Sequence, residues 1–169
     1  MKSYVKLGML VLMLALSSCA VFTGKTKAER QAAELLQMSR VDSLLNARAY
    51  TFVAQSAHPM GWSTIQLTSE YDVRIAGDSV FVYLPYYGRA YQADYGSTDG
   101  GIKLTALAED YQKEESDKGF KVRFKASDEY DSYQFNLSIG KTGYSTLSVN
   151  SNKRQVISFY GIVDTNPSR

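Results

Sequence analysis

The stretch "YLPYYGRAYQADYGSTDGG", Tyr83 to Gly101, sets five tyrosines and one arginine ahead of a glycine-rich tail. Tyrosine combines a wide apolar ring with a hydrogen-bonding tip and freezes only two torsions on binding. An arginine among such rings can hold a carboxylate or phosphate while stacking on an aromatic face. Pro85 lacks an amide hydrogen and ends strand pairing, and Gly88 permits a turn. At most one short strand, Arg89 to Ala93, fits between Leu84 and Ile102, and segments that long inside a compact domain tend to be functional or mobile. Tyr86, Tyr87, Arg89, Tyr91 and Tyr95 are therefore the expected surface for a glycan, a peptide or a partner protein. The competing reading is scaffold, because tyrosine is also a good strand residue and "GRAYQADY" alternates.

Other reactive groups are sparse. His58 is the only histidine, in "SAHPMGW" between the first two expected strands. A triad needs a nucleophile and a carboxylate brought to it by the fold, and the serines are too plentiful for spacing to select one. Neither a nucleophile elbow nor a phosphate-binding loop occurs. Asp128, Glu129 and Asp131 crowd "SDEYDS" but lack the glycine and ligand ladder of a calcium loop, so they read as a solvated acidic turn. The expectation is a protein without catalytic residues, metal or cofactor; the alternative is a small envelope hydrolase using carboxylates or His58.

The sole cysteine, Cys19, excludes an internal disulfide or a cysteine metal cluster. It follows "MKSYVKLGMLVLMLALSS", with Lys2 and Lys6 ahead of an apolar run from Leu7 to Leu16. That run rises only about 15 Å as a helix, against a hydrocarbon core of about 30 Å. It reads as a leader that is removed, and Leu16-Ser17-Ser18-Cys19 resembles the bacterial lipoprotein signal. The expected organisation is a signal peptide over 1–18, a lipidated cysteine and tether over 19–27, and one domain over 28–169. Two or three acyl chains at about 0.8 kcal/mol per buried methylene anchor such a protein to a membrane. Ala20 in place of an aspartate, and "VFTGKTK" without an acidic run, resemble an outer-membrane lipoprotein facing the periplasm, with the cell surface as the alternative. Losing the leader removes Lys2 and Lys6 and no acid, leaving seventeen basic residues against seventeen acidic. A neutral domain lacks the basic footprint of nucleic-acid binding.

The elements that must position these groups follow from periodicity. Thr26 and Glu29 have capping-box spacing. From there, Ala28, Ala32, Leu35, Met38, Val41, Leu44 and Leu45 fall at steps of three and four on a charged helix. After Ala47 the period changes to two. Segments such as "YTFVAQ", "VFVYL", "GFKVRFKA", "YQFNLSI" and "YSTLSV" read as strands with one core face and one wet face. "IKLTALAEDY" is a further strand with helix as its rival, while "EDYQKEESDK" reads as a wet strand end and turn. Phe120, Val122, Phe124 and Ala126 share the inner face of their strand, with Lys121, Arg123 and Lys125 outside. "VISFYGIV" leaves neither face polar and should lie centrally or under the helix. Short connections at Gly77-Asp78, Lys141-Thr142-Gly143 and Asn150-Ser151-Asn152 force antiparallel neighbours. The expected architecture is mainly β: an N-terminal helix packed on an antiparallel meander of about eight strands, forming a sandwich or partly open barrel.

The segments "SAHPMGWSTIQLTSEYDVRIAGDSVFVYLPYYGRAYQADYG", "DGGIK" and "SNKRQVISFYGIV" resemble the family catalogued as Domain of Unknown Function 4251, small lipoproteins and secreted proteins of Bacteroides-type bacteria. The resemblance runs from about Val41 to Val163. It departs at Val156, where the family pattern has proline. It implies a Gram-negative envelope location and a single domain, and it supplies no activity, ligand or catalytic residue. The functional expectation is a lipid-anchored, non-enzymatic binding or envelope-assembly module held to the membrane through Cys19. A barrel whose interior holds an apolar ligand is a further alternative.

Overall fold

The computed structural model describes residues 26–91 and 100–164. Cys19 and Tyr95 lie outside them. The chain divides into two units between Ala33 and Glu34. In the first, the Thr26 amide donates to Glu29 Oε2 at 2.7 Å and the Glu29 amide to Thr26 Oγ1 at 3.2 Å. This reciprocal box opens helix α1, Lys27–Ala47.

The second unit holds the rest of α1 and nine strands: β1 Ala49–Pro59, β2 Ile65–Ala76, β3 Ser79–Leu84, β4 Ile102–Leu107, β5 Glu109–Ser116, β6 Gly119–Ser127, β7 Ser132–Gly140, β8 Tyr144–Ser151 and β9 Ile157–Asp164. Their order in the sheet is β4-β3-β2-β1-β9-β8-β7-β6-β5, with every pairing antiparallel. The meander therefore returns on itself, because β9 pairs with β1 and not with a sheet edge. The last strand is central, as its two apolar faces demand.

Following the strand directions round this circuit sends β4 and β5 the same way. Only Ala108 separates them, so they are two halves of one long strand that pairs first with β3 and then with β6. Ala108 donates its amide to Asp78 O at 2.7 Å, and Asp110 takes a left-handed φ of 52°. The bend turns the strand from one side of the sheet to the other. The result is a nearly closed up-and-down barrel, which decides between barrel and sandwich. "EDYQKEESDK" accordingly contributes a full strand rather than a strand end.

The barrel is filled by its own side chains. Phe52, Phe135 and Phe159 are the largest groups with no exposure, and Phe124 stacks on Phe135 at 4.8 Å. An apolar ligand inside would have to displace them. At the mouth where β1 begins, Val41 and Leu45 of α1 join this core, with Met38 and Leu44 half-buried against it. Lys113 bonds Asp42 and Asn46, and the Tyr111 hydroxyl donates to Leu45 O. Arg48, at φ 49°, turns the chain out of the helix into β1. The apolar stripe is buried only over its last two turns, since Leu35 is 68% exposed.

Candidate functional site

Because α1 covers the mouth where β1 starts, the opposite end is built from four connections: the β1–β2 turn, the β3–β4 segment, the β6–β7 turn and the β8–β9 segment. The tyrosine-rich stretch lies at this end. Its expected residues divide into two groups.

Tyr86 is half-buried and serves the scaffold. Its hydroxyl reaches the carbonyls of Arg89 at 2.8 Å and Gln155 at 2.9 Å, so one proton bridges two loops. Burial pushes its phenol above the ordinary value, partly offset by the Arg154 guanidinium. The Arg154 guanidinium lies 5.3 Å over the ring and also donates to the carbonyls of Gly100 and Gly101. A Cβ at Gly88 would stand 2.7 Å from Tyr86 Cζ, so glycine there makes room for the ring. The same two loops are stitched by Gln155 N to Arg89 O at 3.0 Å and Tyr91 N to Lys153 O at 2.7 Å. The strand expected over Arg89 to Ala93 appears among the described residues as one bridge, Ala90 to Arg154.

Tyr87, Arg89 and Tyr91 face solvent, with Tyr91 68% exposed. Tyr87 stands on the rim of a depression of about 280 Å³ that also meets Tyr71, Tyr83, Tyr86 and Lys103. The neighbouring loops add Trp62, 69% exposed, with Met60 in the β1–β2 turn and Tyr130 in the β6–β7 turn. Sequence reasoning missed these three. The available signal was "PMGW", where two large apolar residues flank Gly61 in a turn, a place ordinarily given to polar groups.

His58 lies on β1, not in a loop as expected, since that strand runs on to Pro59. Its Nε2 is 3.0 Å from Ser56 Oγ and its Nδ1 is 3.1 Å from Thr64 Oγ1. The imidazole thus has a hydroxyl on each nitrogen, and Ser56 is 5% exposed. In the acidic turn, Asp128 Oδ1 accepts the amides of Tyr130 and Asp131. Buried Asp131 accepts the Ser132 amide and the Ser151 hydroxyl. These carboxylates build the turn. Among the described residues no three metal-ligating side chains converge.

A protein-family model described as a domain of unknown function (DUF4251) matches residues 32–163. The chain is also similar to a crystal structure of a DUF4251 family protein from Bacteroides eggerthii DSM 20697. The two share 18% identity with a TM-score of 0.61, over 79% of this chain and 90% of that one. At that identity the likeness is one of fold. No curated protein matches the chain.

Proposed function

Since the chain belongs to the DUF4251 family of unknown function, we propose from its own surface that it is a non-enzymatic binding module, recognising a partner protein through the barrel end opposite α1. The observation that carries this reading is the exposure of Met60, Trp62, Tyr87, Tyr91 and Tyr130, with Arg89, on the loops of that one end. Aromatic residues, methionine and arginine are enriched in protein interfaces and dominate their hot spots. Tyr87, Arg89 and Tyr91 are tied to the β8–β9 segment through the Tyr86 and Arg154 network, so less order remains to be imposed on these three on binding. The non-enzymatic reading is supported by the Ser56 and His58 geometry, in which the hydroxyl is buried and a threonine stands where a carboxylate would orient the ring.

The protein is anchored through a lipid on Cys19 in the outer membrane, facing the periplasm, and takes part in envelope assembly or capture there. Support for the anchor comes from the Leu16-Ser17-Ser18-Cys19 motif alone. Replacing Cys19 with serine should abolish labelling by an alkyne palmitate analogue in cells. For the binding face, photo-cross-linking in the native envelope is compared between the parent, Tyr87→Ala/Arg89→Ala, Trp62→Ala and the distant control Lys118→Ala. The first two variants should lose a cross-linked partner that the control keeps. An unchanged pattern in both would sink this assignment.

A further inference from the structure

The barrel wall carries a second concavity, a groove of about 460 Å³ on the outside of β1 to β4. Strand register places Thr51, Arg74, Phe81 and Thr105 in one cross-strand row along it, and Val53, Asp72 and Tyr83 in the next. One end is set by an irregularity. Ala54 pairs with Tyr71, yet Ser56 pairs with Gln66, so Leu67–Glu70 bulge out opposite Gln55 and bring Glu70 to the groove. Wide bulges recur beside binding and active sites, where they re-aim side chains.

Apart from Asp164, which has a partner of its own, the groove's charged groups have unspent capacity. The Arg74 guanidinium lies 4.4 Å over the Phe81 ring but makes no hydrogen bond or ion pair among the described residues, and the Asp72 and Glu70 carboxylates accept none. Tyr83, 44% exposed, forms a ring wall between Tyr71 at 5.3 Å and Lys103 at 5.0 Å, and half-buried Val53 supplies an apolar floor. Donors and acceptors of opposite charge thus stand open side by side within an aromatic-walled cavity.

A purely cationic or anionic ligand satisfies one sign and leaves the other desolvated against a like charge, which is costly. A neutral polyol satisfies both, because one hydroxyl of a vicinal pair donates to a carboxylate while its neighbour accepts from the guanidinium. The C–H faces of a sugar ring suit the rings and valine, and the volume falls within the usual range of about 300–1,000 Å³ for small-ligand pockets. The geometry points to this groove as a binding site for a neutral saccharide, held by Asp72, Arg74 and Tyr83. It does not depend on the loop-end reading, since Asp72 and Arg74 stand outside that surface and Tyr83 alone is shared with the depression beside Tyr87. Burial raises the Asp72 pKa, Arg74 lowers it and Glu70 raises it further, consistent with a carboxylate kept where water is a poor substitute for a ligand.

The test is calorimetric titration of the detergent-solubilised full chain with maltotriose, cellotriose and N,N′,N″-triacetylchitotriose. Trigalacturonate and the de-acetylated chitosan trimer serve as anionic and cationic counterparts. At least one neutral trimer should bind with a Kd of about a millimolar or tighter. Asp72→Asn and Arg74→Gln should each weaken it about tenfold or more, while Lys141→Ala leaves it unchanged. Both substituted side chains stand on the outer face, and the isosteric Asp72→Asn decides the matter alone should Arg74→Gln fail to fold. The proposal is overturned if no neutral trimer binds, if only a charged trimer does, or if binding survives Asp72→Asn.

Discussion

Replacing Tyr86 with phenylalanine removes one hydroxyl and keeps the ring over which Arg154 lies. The lost proton serves two carbonyls in a three-centre bond, but the two losses are unequal. Arg89 O still accepts the Gln155 amide at 3.0 Å, whereas the bond to Gln155 O spans the two loops. One net hydrogen bond in a half-buried setting is worth about 1 kcal/mol. With a urea slope of about 2 kcal/mol/M, the midpoint should fall by about 0.5 M at unchanged slope. Hydrogen exchange is the more discriminating assay, because the loss is local. The amides of Tyr91 and Gln155, which bond to Lys153 O and Arg89 O, should exchange roughly fivefold faster, while core amides such as those of β7 move only with global stability. Gly88→Ala should do more harm, since its Cβ collides with the ring instead of deleting one bond. Were Tyr86→Phe to match the parent in both urea midpoint and these two amide rates, the hydroxyl would not be a latch. The reasoning that separates Tyr86 from its exposed neighbours would then fail.

Other expectations concern the core, the seam and the groove. Phe135→Ala empties the centre of the ring stack with Phe124 and Tyr133 and should cost about 3–5 kcal/mol in urea unfolding; a loss below about 1 kcal/mol would contradict a filled barrel. Gly161→Ala places a Cβ against Val53 O and 3.0 Å from Phe52 Cζ, at the β1–β9 pairing that closes the barrel. It should cost about 1–3 kcal/mol, and thermal unfolding at the parent temperature would refute the close approach. Asp72 has a raised folded-state pKa, so the stability linked to it is fully present below about pH 4 and is lost as pH rises through the folded value. Asp72→Asn should therefore be more stable than the parent at pH 7, with the difference vanishing below about pH 4; equal melting temperatures at pH 7 would count against the desolvated setting.

Much of this architecture was legible in local pattern. The Thr26 and Glu29 box, the inward Phe120, Val122 and Phe124, and the two-sided apolarity of β9 each report a backbone period or a neighbour a few residues away. Stereochemistry alone sets such periods. Closure was decided at longer range, by β9 meeting β1 and by one strand bending at Ala108 to serve two neighbours. So was the division among the tyrosines: Tyr86 and Tyr87 are adjacent and identical in type, yet only Tyr86 has the Gln155 carbonyl within reach of its hydroxyl. The bulge at Leu67–Glu70 and the groove beside it likewise depend on register across strands. Alternation in a sequence says which side chains share a face, whereas pairing between distant strands decides what that face meets, because the free energy of contact belongs to both partners and is written in neither segment alone.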